Sequence, residues 1–140
     1  MKKWFLLFCM FVLPLSTQAR INTYEYQLKN GLKLIVREDH RSPIVVSQIW
    51  YKVGGANERE GHTGISHILE HMMYKGTKRY KPGQFSRIIS ANGGRENAFT
   101  SMDYTSYFQM LAADRFPISF KLEADRMQHL NISPKDFAKE

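Results

Sequence analysis

The sequence predicts a mixed α+β fold, a mostly antiparallel sheet packed with helices. Three observations predict it. Apolar residues alternate in the stretches before residue 54 and again between 97 and 111, the period of half-buried strands. Between and after those stretches, apolar residues recur at helical spacing. Strands come in runs, followed by helices, then strands again, rather than in strict strand–helix alternation, which favours a layered fold over a parallel sheet. At 140 residues there is room for one domain.

In chain order, the first nineteen residues read as a cleavable export signal. Lys2 and Lys3 form a positive start, Trp4 to Leu15 an apolar run, and Ser16-Thr17-Gln18-Ala19 a small-residue cleavage site, with cleavage after Ala19. That run falls short of the roughly 20 apolar residues a membrane span needs, so no stable span is expected once it is removed. The expected location is periplasmic or secreted.

Tyr24, Tyr26 and Leu28 alternate over 24–28, as do Leu32, Leu34 and Val36 over 32–36, and Asn30-Gly31 between them is a hairpin signal. Ile44 to Val53, rich in β-branched and aromatic residues, reads as a more buried third strand. Gly54 to Gly64 is glycine-rich and charged, a loop. A helix is expected from Thr63 or Gly64 through Tyr74, stopping near Gly76. Pro82 to Ala91 reads as a second helix, with Pro82 in its first turn and Asn92-Gly93-Gly94 after its end. Asn97–Thr100 and Thr105–Leu111 read as two strands. From Asp114 to Leu130, the stripe Phe116, Phe120, Ala124, Met127 and Leu130 predicts a helix turning that face to the core. Ser133 and Pro134 then open a further helix as cap and first residue, with no stop signal over 137–140.

Composition narrows the function classes. Removing Lys2 and Lys3 lowers the net charge from +7 to +5, and the remaining basic residues are scattered apart from the run Lys75, Lys78, Arg79, Lys81. With little aromatic interleaving, that run reads as a solvated helix end, and no nucleic-acid partner is expected. The sole cysteine, Cys9, lies in the export segment, so the mature fold has no disulfide, and any zinc site must use nitrogen and oxygen ligands.

The chemistry-bearing pattern is His67-Ile68-Leu69-Glu70-His71, inside the first predicted helix. Histidines four apart stand one above the other on one face, so both imidazoles can reach a single ion. Glu70 lies beside that pair and suits a general base acting on water that the metal acidifies. The plainer alternative is two surface histidines next to a carboxylate. His40, His62 and His129 belong to no such cluster, and His62 reads as a solvated or supporting residue.

The motif is the inverted, HxxEH order of zinc peptidases. With Gly54-Gly55-Ala56-Asn57-Glu58, the run Thr63 to Thr77, Asn92-Gly93-Gly94, Asn97 to Ser101 and Asp103-Tyr104-Thr105, the chain from about Tyr24 to Glu140 resembles the insulinase/pitrilysin family of zinc metallopeptidases. The likeness is to the subgroup that includes mitochondrial processing peptidase and bacterial periplasmic zinc proteases.

The resemblance implies a Zn²⁺ cofactor held by His67 and His71, with Glu70 as catalytic base. It implies that Asn97, Ala98, Phe99 and Thr100 form an edge strand that takes up an extended peptide by backbone pairing. Glu140 falls where the family has a glutamate that supports the site from behind its ligands, and the third zinc ligand is expected about seven residues later. Residues 20–140 are then an incomplete N-terminal catalytic domain, a partial copy of a two-layer unit. The family's second, similar domain would have to come from elsewhere, for instance a companion chain. The expected function is zinc-dependent endopeptidase action on extended or unfolded peptides. Two alternatives stay open: a catalytically inactive truncated product that binds peptides or partners through the Asn97–Thr100 edge, and an unrelated exported domain whose histidines bind metal for structure or storage.

Overall fold

The structure is a computed structural model that describes residues 22–140. The export segment over 1–19 lies outside the described residues. The chain divides into two compact units with the boundary after Arg41.

The first unit is a hairpin of β1 (Thr23–Gln27) and β2 (Lys33–Arg37), paired antiparallel from Thr23↔Arg37 to Gln27↔Lys33. Its turn is longer than the two residues Asn30-Gly31 suggest. Leu28 N–H donates to the Leu32 carbonyl at 2.9 Å and Gly31 N–H to the Leu28 carbonyl at 3.0 Å. That leaves a three-residue loop in which Gly31 takes φ +88°, a conformation glycine adopts without steric cost. The alternation holds, because Tyr24 faces Val36 and Tyr26 faces Leu34 across the ladder.

The second unit is a three-stranded antiparallel sheet in the order β3–β5–β4, with β3 at Ile44–Tyr51, β4 at Arg95–Thr100 and β5 at Thr105–Ala112. The register Thr100↔Thr105, Ala98↔Tyr107 and Glu96↔Gln109 on one side, with Tyr51↔Thr105 and Ser47↔Gln109 on the other, puts these residues on one face. Among the described residues four α-helices accompany the sheet: α1 (Ile65–Met72), α2 (Gln84–Ala91), α3 (Pro117–His129) and the short α4 (Pro134–Phe137). α1 and α2 both pack on β4, and α3 packs on α2. The apolar core is Phe85, Ile89, Leu111 and Leu122, with Tyr80, Ile88 and Ile118 against it.

Three expectations about the helices need correction. α2 begins at Gln84, with Pro82 before it and Gly83 (φ 72°) at its N-cap. α4 has the expected Ser133 cap, whose hydroxyl accepts from Asp136 N–H at 3.0 Å, but it ends at Phe137. The third correction is larger. The apolar stripe of α3 does not face the core: Phe120, Ala124 and Met127 are exposed, and Phe116 and Leu130 only half-buried. The buried face instead carries Ser119, Leu122, Glu123, Asp125 and Arg126.

Burying those polar groups is tolerable because most of their polar atoms are hydrogen-bonded, Asp125 through the Thr77 hydroxyl, with Asp125 Oδ1 and Arg126 Nη1 as exceptions. Ser119 donates to Gln109 at 2.8 Å, Gln109 to Glu123 at 2.9 Å, and Arg126 Nε to Glu123 at 2.9 Å. The Arg126 guanidinium also lies over the rings of Tyr107 (4.4 Å), Phe85 (4.6 Å) and Tyr74 (5.3 Å). Burial alone would lower the Arg126 pKa, but the neighbouring Glu123 carboxylate outweighs it and raises the value, so the cation keeps its charge. The same burial pushes the Tyr74 phenol up to about 12.

Candidate active site

The site is assembled on α1. No side chain within the helix caps its start; Gly64 stands at the N-cap in a left-handed conformation. The cap comes from the preceding loop, where Glu58 accepts from Gly64 N–H at 2.6 Å and from Ser66 N–H at 2.8 Å. A carboxylate at this end offsets the partial positive charge of the unpaired amides. Those two amides, Ser66 first, hold the Glu58 carboxyl below the usual carboxylate range. The loop itself is anchored on the β4–β5 turn: Gly55 N–H donates to the Ser101 carbonyl at 3.0 Å and Ala56 N–H to that of Met102 at 2.8 Å. Gly54 makes this approach possible, since a Cβ there would overlap the Ser101 carbonyl oxygen and stand 2.7 Å from that of Met102.

On α1 so fixed, His67 and His71 are exposed one turn apart, their ring centroids 4.7 Å from each other and edge to face. Glu70, beside them on the helix, is only 8% exposed and turned towards β4. There the Thr100 hydroxyl donates to Glu70 Oε2. His71 Nδ1 lies 2.6 Å from Glu140 Oε2, and the other Glu140 oxygen pairs with Lys75 Nζ. The Lys75 ammonium, and after it the His71 ring, hold the Glu140 carboxyl below its ordinary range. A carboxylate on Nδ1 favours the tautomer protonated there, which leaves Nε2 with a free lone pair.

Of the four strand residues singled out in the sequence, Thr100 is the one hydrogen-bonded to Glu70. Ala98 shares its face of the sheet, while Asn97 and Phe99 are exposed on the opposite one. Phe99 sits there in an aromatic group with Trp50 (5.8 Å), Tyr104 (6.0 Å) and Phe108 (6.4 Å). β4 is an edge strand of its sheet, paired only with β5 among the described residues. The Ala98 N–H is taken by the adjacent Asn97 Oδ1 at 2.9 Å. His62 is exposed, its Nδ1 3.4 Å from the Glu60 carbonyl. Among the described residues no third His, Cys, Asp or Glu joins the two histidines in a three-ligand group.

Sequence reasoning missed Glu58, Thr105 and Lys75. Lys75 carried a usable signal, because it lies four residues after His71 and so on the same side of the chain one turn on. Glu58 and Thr105 act through loop and sheet geometry that no local spacing reveals.

A family model described as Insulinase (Peptidase family M16) matches residues 33–140. Over 114 residues the chain is 39% identical to the zinc protease PqqE of Helicobacter pylori, covering 81% of this chain and 26% of that protein. It is 30% identical over 118 residues to the beta subunit of the mitochondrial-processing peptidase of Dictyostelium discoideum, covering 84% of this chain and 24% of that one. The crystal structure of a protease from Helicobacter pylori superposes with a TM-score of 0.82 at 35% identity, over 85% of this chain and 29% of that one. The chain thus spans only about a quarter of the length of these relatives (26% and 24%) and 29% of that solved chain.

Proposed function

The chain belongs to the insulinase family of peptidases, M16, and from that premise we propose that it carries the metal-binding and general-base half-site of a zinc endopeptidase acting on extended or unfolded peptides. One observation carries the reading: a carboxylate, Glu70, is held between helix and sheet by a hydroxyl, while the histidines flanking its motif stand exposed one turn apart.

The donor set fits the metal. Neutral imidazole suits zinc, and zinc proteases are what several relatives are named. His67 and His71 would hold the ion, two of the three protein ligands a catalytic zinc takes. When bound, zinc polarises a carbonyl and lowers the pKa of water from about 15.7 towards 7. The chain's own residues do the remaining work. Glu140 fixes the His71 ring through Nδ1, so Nε2 would be the nitrogen left to hold an ion. Glu70 takes a proton from the attacking water and returns it to the leaving amine. The β4 edge offers an extended backbone to a peptide, with Asn97, Ala98, Phe99 and Thr100 as its closing residues. Two relatives are named as subunits of larger assemblies, which supports a companion chain as the source of a second domain.

The test is zinc-dependent cleavage of an unfolded protein such as labelled casein. Glu70→Gln should abolish hydrolysis while zinc stays bound, and His67→Ala should lose the zinc. Cleavage that survives Glu70→Gln, or zinc content unchanged in His67→Ala, would sink the reading. The exposed edge of β4 and the two-histidine set favour a second reading, a peptide-binding module without hydrolysis. It predicts that the native protein and Glu70→Gln bind an extended peptide equally well and that neither cleaves it. Export through residues 1–19 is part of the proposal, and a mature N terminus other than Arg20 would count against it.

A further inference from the structure

We infer that Thr100, backed by Thr105, is a positioning residue for Glu70, fixing one carboxylate oxygen so that the other is the one presented for proton transfer. The inference rests on the reading of Glu70 as general base. A carboxylate can only accept, so the contact between Thr100 Oγ1 and Glu70 Oε2 is a hydrogen bond donated by threonine. Thr105 Oγ1 donates to the Val53 carbonyl at 3.0 Å and lies 3.4 Å from Thr100 Oγ1. A carbonyl likewise can only accept, so the Thr105 proton points to Val53 and its oxygen faces Thr100. The Thr100 proton goes to the Glu70 carboxylate, a stronger acceptor than the more distant Thr105 oxygen.

Both threonines are pinned by the sheet. Thr100 and Thr105 are register partners where β4 turns into β5, and Thr105 is 4% exposed. β-Branching further restricts χ1, so the hydroxyl is aimed by backbone that the Gly54–Ala56 loop also grips at Ser101 and Met102. Glu70 has the opposite problem: a flexible side chain whose two oxygens are equivalent until one is tied down. Among the described residues Glu70 Oε1 has no hydrogen-bond partner, and it is not one of the buried side-chain atoms that lack one. Oε1 is the oxygen not tied to threonine, and the one left for an attacking water. A misplacement of about 1 Å in such a group can cost on the order of 100-fold in rate.

The competing role is structural: the same bond ties α1 to β4 and satisfies a buried carboxylate. The experiment uses the full chain in its zinc-loaded, active form, with unfolded labelled casein as substrate. Thr100→Val should lower kcat roughly 10- to 100-fold with KM and zinc content little changed, and Thr100→Ser should restore most of it. A crystal structure of Thr100→Val should find the Glu70 carboxylate turned away from its present position. Thr100→Ala removes the hydroxyl with less disturbance and is read the same way if the valine variant does not fold. A folded, zinc-loaded Thr100→Val with kcat within about threefold of the parent overturns the inference, as does an unmoved Glu70 or a serine variant as slow as valine. Loss of the parent activity claim is separate: if Glu70→Gln still cleaves casein, the proposed function fails, and the position of Glu70 in Thr100→Val still tests the hydroxyl's role.

Discussion

Replacing Arg126 by methionine removes the cation at the centre of the polar core. The Arg126 side chain is 1% exposed and that of its partner Glu123 4%, so neither has water to fall back on. Without the guanidinium, Glu123 keeps only the Gln109 amide as a donor and remains a buried, uncompensated charge. Breaking one side of a buried pair costs about 3–5 kcal/mol, and the lost stacking on Tyr107, Phe85 and Tyr74 falls within that range. For a unit of roughly 100 residues, about 4–8 °C per kcal/mol puts the loss at roughly 12–40 °C in Tm, enough to unfold many domains. Methionine at 126 combined with Glu123→Gln removes both charges and should recover a large part of that loss, because the orphaned charge rather than the missing contact dominates. Urea denaturation of the full chain at neutral pH, followed by circular dichroism for the two single variants and the double, measures the coupling. An Arg126→Met loss below about 1 kcal/mol, or a double variant as unstable as the sum of its singles, would refute the reasoning.

Two further outcomes follow from the loop that supports α1. The Glu58 carboxyl is held below its ordinary value of 4.5 by amides that exist only in the folded chain. Its contribution is therefore complete above about pH 4.5 and is lost as pH falls through the lowered folded value. Glu58→Gln should be less stable than the parent at pH about 6, with the gap closing towards pH about 3; a gap that is constant with pH would rule the cap out. Gly54→Ala should lower stability by about 1–3 kcal/mol, because the new methyl meets the Ser101 and Met102 carbonyls and backbone cannot step aside as a side chain can. A midpoint unchanged in urea would show that the loop does not depend on that close approach.

Local pattern determined much of this protein. The strand alternation, the two helices before β4 and the Ser133 cap were legible because each depends on spacing within one element. The His67, Glu70, His71 set was legible as a pattern, because the 3.6-residue period puts the two histidines on one side of a helix with the glutamate beside them; that the glutamate lies against the sheet comes from the tertiary structure. The α3 stripe was misread for the converse reason. Periodicity weighs a position by its own hydrophobicity, and the buried positions of α3 hold Ser119, Glu123, Asp125 and Arg126, whose burial is supported by Gln109 on β5, by one another and, for Asp125, by Thr77 from the α1–α2 connection.

Only the tertiary structure decided how Glu70 is held. Thr100 is 30 residues away from it, Glu140 is 69 from His71, and Glu58 reaches α1 from the preceding loop. Each contact depends on how the loop, the β4–β5 turn and α1 converge, and no periodicity within one element encodes that convergence. The sequence by itself determined which residues could do chemistry, because that is a matter of residue type and helical spacing. Which oxygen of Glu70 and which nitrogen of His71 face outward was decided by hydrogen bonds between distant segments, and those exist only once the chain has closed on itself.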